Sequence, residues 1–241
     1  MLLNMSNFDA AIVDLDGTMV DTLGDFVVVL NLMLADLALP EVDRALVGRL
    51  VGKGSEHLIK SVLAHTGRVQ EATDLIALDA VQSLYPQAWA SYQQHYQRIN
   101  GQHADVFPGV LEGLTQLRAC GLVLACLTNK PTAFAVALLQ RKGLSGFFAH
   151  TFGGDAFERK KPDPLPLLKT CAALGTQPVR TLMIGDSSND AQAARAAGCP
   201  VLLVTYGYNH GEPIRAVDAD GFTDSLASFS LGLTMACQPT R

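Results

Sequence analysis

Residues Phe8–Thr22 read FDAAIVDLDGTMVDT. An apolar run from Ala10 to Val13 ends in Asp14, and Leu15, Asp16, Gly17 and Thr18 follow. The run is short, suits a buried strand, and is closed by a glycine turn. Two carboxylates two residues apart therefore fall where a strand breaks into a loop. In a parallel α/β sheet, ligands bind outside the carboxyl ends of the strands. Asp-Gly is also an ordinary turn pair, so a functional reading needs partner residues elsewhere in the chain.

Beyond Thr22 the pattern changes. Leu23, Phe26, Val27, Leu30, Leu34 and Leu37 recur at helical spacing, and Pro40 stops that helix. A second helical pattern at Leu58, Ile59, Val62 and Leu63 is opened by Gly52-Lys53-Gly54-Ser55. A third covers about Leu75 to Tyr85, and a fourth carries Trp89, Tyr92, Tyr96 and Ile99 on one face. No strand is expected between Leu23 and Ile99. The segment Asn100 to Val110, broken by Gly101, Pro108 and Gly109, reads as a return linker.

From there apolar strands alternate with helices. Strands are expected at Leu122–Thr128, near Thr151–Gly153, at Thr181–Gly185 and at Val201–Thr205. Helices are expected at Val110–Ala119, Thr132–Lys142, Asp163–Leu174 and Asp190–Ala197. Such alternation implies a doubly wound parallel sheet with helices on both faces. The first strand cannot be stable alone. Residues 1–20 and 103–241 are therefore expected to form one discontinuous α/β core, with residues 21–102 inserted as a helical cap. Leu226, Phe229 and Leu233 read as the start of a final helix.

The 241 residues are 49% hydrophobic and 17% charged, so the chain can bury a core. A net charge of −5 argues against a chain-wide basic surface for nucleic acid. No apolar run is long enough to span a bilayer, and no signal peptide is evident. The five cysteines (Cys120, Cys126, Cys171, Cys199 and Cys237) form no CxxC pair. They are expected as buried thiols in a reducing cytoplasm.

Four strand ends offer polar groups: Asp14 and Asp16; Thr128 and Asn129; Lys160-Lys161-Pro162; and Gly185-Asp186-Ser187-Ser188-Asn189-Asp190. If the sheet is parallel, Asp14, Thr128 and Asp186 reach the same edge. Asp14 and Asp186 then form a set of hard oxygen ligands suited to Mg²⁺. Asp190, one helical turn after Asp186, is placed to join them or to orient them. A hydroxyl (Thr128), an amide (Asn129) and a lysine facing this cluster would suit a phosphate. The combination predicts in-line attack by Asp14 on phosphorus, giving an aspartyl-phosphate. Asp16 would protonate the leaving oxygen and then deprotonate the hydrolytic water.

These four elements, in this order, resemble the signatures of the haloacid dehalogenase superfamily. The resemblance implies a Rossmann-like sheet in order 5-4-1-2-3 with a helical cap after the first strand. It also implies Mg²⁺ held by the Asp14 side chain, the Asp16 backbone carbonyl and Asp186. Lys161, before proline, matches the family lysine, leaving Lys160 as a surface charge. Asp16 sets the chain apart from the dehalogenase and phosphonate-hydrolase branches, which lack the second acid. Within the superfamily, Val51-Gly52-Lys53-Gly54, Phe107-Pro108-Gly109-Val110 and Gly207-Tyr208-Asn209-His210-Gly211-Glu212 resemble the phosphoglycolate phosphatases. The expected activity is Mg²⁺-dependent hydrolysis of a small phosphomonoester, with 2-phosphoglycolate first. A pyrophosphatase or a β-phosphoglucomutase-like sugar phosphomutase would use the same core. A catalytically silent binding relative would have lost a signature residue, and none is lost. In the cap, Lys53 and Glu56 are the expected specificity residues, with Lys53 favouring a second anionic group on the substrate.

Overall fold

The computed structural model describes residues 7–66 and 74–228. Strand β1 (Ala10–Val13) is wholly buried at the centre of a six-stranded sheet. It pairs in parallel with β4 (Val123–Leu127) on one side and β6 (Thr181–Gly185) on the other. Strand β5 (His150–Phe152) lies outside β4, and β7 (Val201–Val204) and then β8 (Gly221–Thr223) lie outside β6. All pairings in this sheet are parallel. Numbered among themselves in chain order, its strands run 6-5-4-1-2-3. The outermost, β8, has no counterpart in the sequence reading. Its three residues GFT are too few for an alternating or apolar pattern to register.

Continuous apolar strands such as AAIV and TLMIG belong in a sheet covered on both faces. Successive side chains divide accordingly. Ala11 and Val13 join Leu124, Cys126, Leu182 and Ile184 in one core cluster. Ile12 joins Leu127, Met183, Val201 and Leu203 in the other. Helices α5 (Val110–Ala119) and α6 (Thr132–Arg141) supply Leu114, Leu117, Ala135 and Leu138 to the first cluster. Helices α7 (Leu165–Leu174) and α8 (Ser188–Ala197) supply Leu167, Cys171, Ala191 and Ala194 to the second.

A third apolar cluster belongs to the inserted helices α1 (Leu23–Asp36), α2 (Arg44–Leu50), α3 (Ser55–Thr66) and α4 (Asp74–Ile99). Helix α2 was not foreseen; Asp43 starts it by accepting from Leu46 N at 2.7 Å. The third and fourth helical patterns prove to be one 26-residue helix with Pro86 inside. A proline there gives up one backbone bond, at a cost of about 3 kcal/mol. The buried Tyr92 and Tyr96, stacked along the helix at 5.3 Å, pack its C-terminal half into the cluster. The final helix expected from Leu226 onward lies largely outside the described residues.

The chain crosses between the sheet and the helical block through a two-stranded antiparallel ribbon, β2 (Val20–Asp21) with β3 (Asp105–Val106). Asp25, fully buried in α1, accepts from Gly101 N at 2.5 Å and from His103 N at 2.7 Å. One carboxylate thus ties the outgoing and returning segments together. Among the described residues, no helix is long and apolar enough to cross a membrane.

Candidate active site

Register fixes the site. Val13 stands level with Cys126 on one side and with Ile184 on the other. Asp14 is therefore level with Leu127 and Gly185, and Thr128 and Asp186 follow one residue on. The three chain ends open on the same edge. Asp14, Asp186 and Asp190 offer carboxylate oxygens that all lie within 4.8 Å of one another, and all three residues are buried.

Each carboxylate has its own surroundings. Asp190 lies in the first turn of helix α8, and its Oδ2 accepts from Ser187 Oγ at 2.8 Å, Ser187 N at 3.1 Å and Asp186 N at 3.2 Å. Its Oδ1 accepts from Lys161 Nζ at 2.7 Å. Lys161 Nζ also donates to Leu127 O at 3.0 Å and stands 2.9 Å from Asp14 Oδ1, without a well-aligned hydrogen bond there. Asp186 accepts from Tyr208 N at 2.7 Å and Thr18 Oγ1 at 3.3 Å. Asp16 faces Lys130, whose Nζ lies 3.0 and 3.2 Å from its two oxygens.

The electrostatics are those of an anionic cluster short of positive charge. Burial pushes the Asp14 carboxyl up to about 7; Asp190 adds to the rise and Lys161 opposes it. Burial, then Asp190 and Asp14, also hold Asp186 well above the ordinary carboxylate range. Burial works against the charge on Lys161, but the carboxylates of Asp14 and Asp190 outweigh it and raise its pKa. One lysine cannot neutralise three carboxylates.

That imbalance suits a hard divalent cation. The packing leaves space for the cluster as well. At Gly17, with φ +84°, an added Cβ would stand 2.1 Å from Asp186 Oδ2, so only glycine lets this loop pass so close. The donor set is three carboxylates, with no thiol or imidazole in the cluster among the described residues, as Mg²⁺ prefers.

A narrow cavity lies over the cluster. Its core wall is Asp14, Asp16, Thr128, Asn129 and Lys130, and its other wall is Phe26, Val51, Gly52, Gly54, Ser55 and Leu58 from the helical block. The space amounts to about 20 Å³, room for little more than one water. Two core amides hold the block in place: Asn129 Nδ2 and Asn189 Nδ2 donate to the Gly52 carbonyl at 3.1 and 3.2 Å. Asn129 Nδ2 also donates to Lys161 O at 2.9 Å.

The structure thus brings Asp14, Asp16, Thr128, Asn129, Lys161, Asp186 and Asp190 to one edge. It does not bring the two expected cap residues. Lys53 is exposed and absent from the cavity wall. The loop at Gly52, with φ +110°, turns its carbonyl toward the core, and the next side chain points elsewhere. Glu56 is also exposed and pairs with Lys60 at 2.7 Å on the surface of α3. Lys161, expected to face a phosphate, spends its contacts on Asp14, Asp190 and Leu127.

Three contributors were missed: Lys130, Asn189 and Ser55. Lys130 had a signal, since it directly follows Thr128-Asn129 at a strand end. Asn189 lies inside the GDSSND stretch but pointed to no partner until the fold placed Gly52 beside it.

A doubly wound sheet with an acidic strand-end cluster and an inserted helical block defines a class of hydrolases. Residues 11–204 match the family model for haloacid dehalogenase-like hydrolases, and the chain belongs to that family. Among its relatives is a phosphoglycolate phosphatase of Thiobacillus denitrificans, 43% identical over 227 residues, covering 94% of this chain and 96% of the relative. The plasmid phosphoglycolate phosphatase of Cupriavidus necator is 42% identical over 227 residues, covering 94% of each chain. The crystal structure of a predicted phosphoglycolate phosphatase from Haemophilus somnus superimposes with a TM-score of 0.86 at 32% identity. It covers 96% of this chain and all of the other.

Proposed function

We propose that the chain is a Mg²⁺-dependent phosphatase acting on a small phosphomonoester, with 2-phosphoglycolate as the first substrate. The observation that carries this is the gathering of Asp14, Asp16, Thr128 and the Asp186–Asp190 pair at one sheet edge beneath a narrow cavity. Relatives named phosphoglycolate phosphatase, at up to 43% identity over nearly the whole chain, support the choice of substrate.

Asp14 is the nucleophile. A carboxylate oxygen attacks phosphorus, the P–O bond to the leaving group breaks, and Asp16 gives its proton to the departing oxygen. Asp16 then takes a proton from water as the water oxygen attacks phosphorus, which releases inorganic phosphate and restores Asp14. Thr128 and Asn129 hold the phosphoryl oxygens by hydrogen bonds. Lys161, fixed by Asp190 and Leu127 O, keeps Asp14 in place and adds positive charge beside the reacting group. The Asp14 and Asp186 side chains and the Asp16 carbonyl would hold Mg²⁺, which when bound neutralises both the carboxylates and the phosphoryl oxygens. Asp190 shapes the loop that carries Asp186. The helical block closes over the substrate and excludes bulk water.

The test is phosphate release from a panel of phosphate esters with and without Mg²⁺. We expect 2-phosphoglycolate to be turned over, and only with the metal. Release from pyrophosphate alone would move the reading to a pyrophosphatase. Isomerisation of a sugar phosphate without net release would move it to a phosphomutase. No release across the panel would leave a binding protein.

A further inference from the structure

The chemistry above makes no use of Lys130. Its ammonium is almost wholly enclosed, with a side-chain exposure of 1%. It has two polar partners. One is the Asp16 carboxylate, at 3.0 and 3.2 Å, and the other is the Tyr96 hydroxyl of helix α4, at 2.6 Å. The remaining surroundings are aromatic: Nζ lies 4.5 Å from the centre of the Phe26 ring and 4.8 Å from that of Tyr96. Lys130 follows β4 of the core, whereas Phe26 and Tyr96 belong to the helical block.

These aromatic partners are well anchored. Tyr96 stacks on Phe26 at 5.8 Å and on Tyr92 at 5.3 Å, and it meets Phe134 of α6 edge-on at 4.8 Å. Tyr96 is fully buried, so its hydroxyl has few alternative positions. A fixed hydroxyl and two ring faces define where a buried ammonium can sit. The ammonium in turn defines where the Asp16 oxygens sit, because the Asp16 carboxylate makes no other side-chain hydrogen bond among the described residues.

We propose that Lys130 is a positioning residue for Asp16, clamping its carboxylate against the Tyr96–Phe26 wall so that Asp16 reaches its working position only with the helical block closed on the core. This rests on the reading of Asp16 as proton donor to the leaving group. It adds that the donor's geometry is set by the block and is not a property of the strand-end loop alone. A displacement of about 1 Å in a catalytic group costs up to about 100-fold in rate. A lysine acting through Asp16 must show that loss where the leaving group needs a proton, and little loss where it does not.

The experiment compares kcat on 2-phosphoglycolate, an alkyl ester with a poor leaving group, with kcat on p-nitrophenyl phosphate, whose leaving group departs unprotonated. Wild type, K130M, K130R, Y96F and D16N are assayed with saturating Mg²⁺. D16N is the reference: it should lose about 10²–10⁴-fold on the alkyl ester and far less on the aryl ester. K130M should lose about 10- to 100-fold on the alkyl ester and only a few-fold on the aryl ester. K130R should recover part of the alkyl rate, and Y96F should show the same selectivity in smaller measure. Equal losses on both esters in K130M would overturn the proposal; if K130M does not fold, equal losses in Y96F decide the matter the same way. If D16N itself loses both equally, the proton-donor reading fails and the proposal falls with it. If D16N is selective and the Lys130 and Tyr96 variants are not, only the positioning role is lost.

Discussion

The two walls of the cavity follow opposite physical rules. The core wall presents Asp14, Asp16, Thr128, Asn129 and Lys130 at two strand ends, with Asp186, Asp190 and Lys161 buried beside Asp14. The block wall presents Phe26, Val51, Leu58 and Ser55 on a foundation of stacked aromatic rings. Buried charge is costly unless paired, so the crowded carboxylates behind the core wall carry an electrostatic cost that a cation would relieve. Buried apolar area is favourable throughout, at roughly 1.5–3 kcal/mol per large side chain, so the block wall is simply stable. Charge and enclosure are thus assigned to different parts of the chain, which meet through Lys130 with Tyr96, Gly52 with two asparagines, and Phe134 of α6 edge-on against Tyr96.

The comparison breaks most severely at Asp14. Asp14→Asn should lower kcat by about 10⁴-fold or more while thermal melts show a fold at least as stable as wild type, because one of three crowded carboxylates has been neutralised. Normal turnover in that variant would remove Asp14 as nucleophile. Next is Lys161→Met, which leaves Asp14 and Asp190 without their shared cation. Urea unfolding in the absence of metal should show a loss of about 3–5 kcal/mol, partly recovered by Mg²⁺. By contrast, Tyr92→Phe in the block should cost no more than about 1 kcal/mol.

Asp25 tests the seam between the two parts. Asp25→Ala strands the Gly101 and His103 amides and should cost about 2–3 kcal/mol, read as an earlier midpoint in urea. The acidic cluster also sets a pH dependence. Asp14 titrates near 7 in the fold, against 3.8 ordinarily, so between those values the folded protein holds a proton that the unfolded chain releases. The contribution of Asp14 to the stability of the metal-free protein should therefore fall as pH rises from about 4 to about 7 and level off above. Mg²⁺ should raise the melting temperature more at about pH 8 than at about pH 5.5, where it must displace that proton; equal shifts would contradict the assignment. A smaller effect is expected at Asn189→Ala. Loss of one hydrogen bond to Gly52, worth about 1 kcal/mol, should change KM by several-fold with little change in unfolding.

Much of the core was legible because its signals are local. A buried parallel strand shows as a continuous apolar run, and the polar residues after it are chain neighbours; Ala10–Val13 followed by Asp14 and Thr181–Gly185 followed by Asp186 needed nothing else. The helical block was legible only as helices. Its periodicity marked which residues are buried but could not say that α4 runs through Pro86, nor which loop residue turns inward. Lys53 looked well placed in a glycine loop, yet the Gly52 carbonyl is what faces the core.

The sequence alone determined five of the six strands of the sheet, the helical character of the insertion and the acids gathered at the sheet edge, because strand runs and strand-end residues are encoded side by side. Only the tertiary structure decided which lysine serves which carboxylate. Lys161 sits between Asp14 and Asp190, Lys130 sits between Asp16 and Tyr96, and Lys53 serves none of them. The reason is that an ammonium on a long, flexible stem takes its position from whatever acceptors packing brings within about 3 Å, and the residues that provide them lie 29 to 147 positions away along the chain.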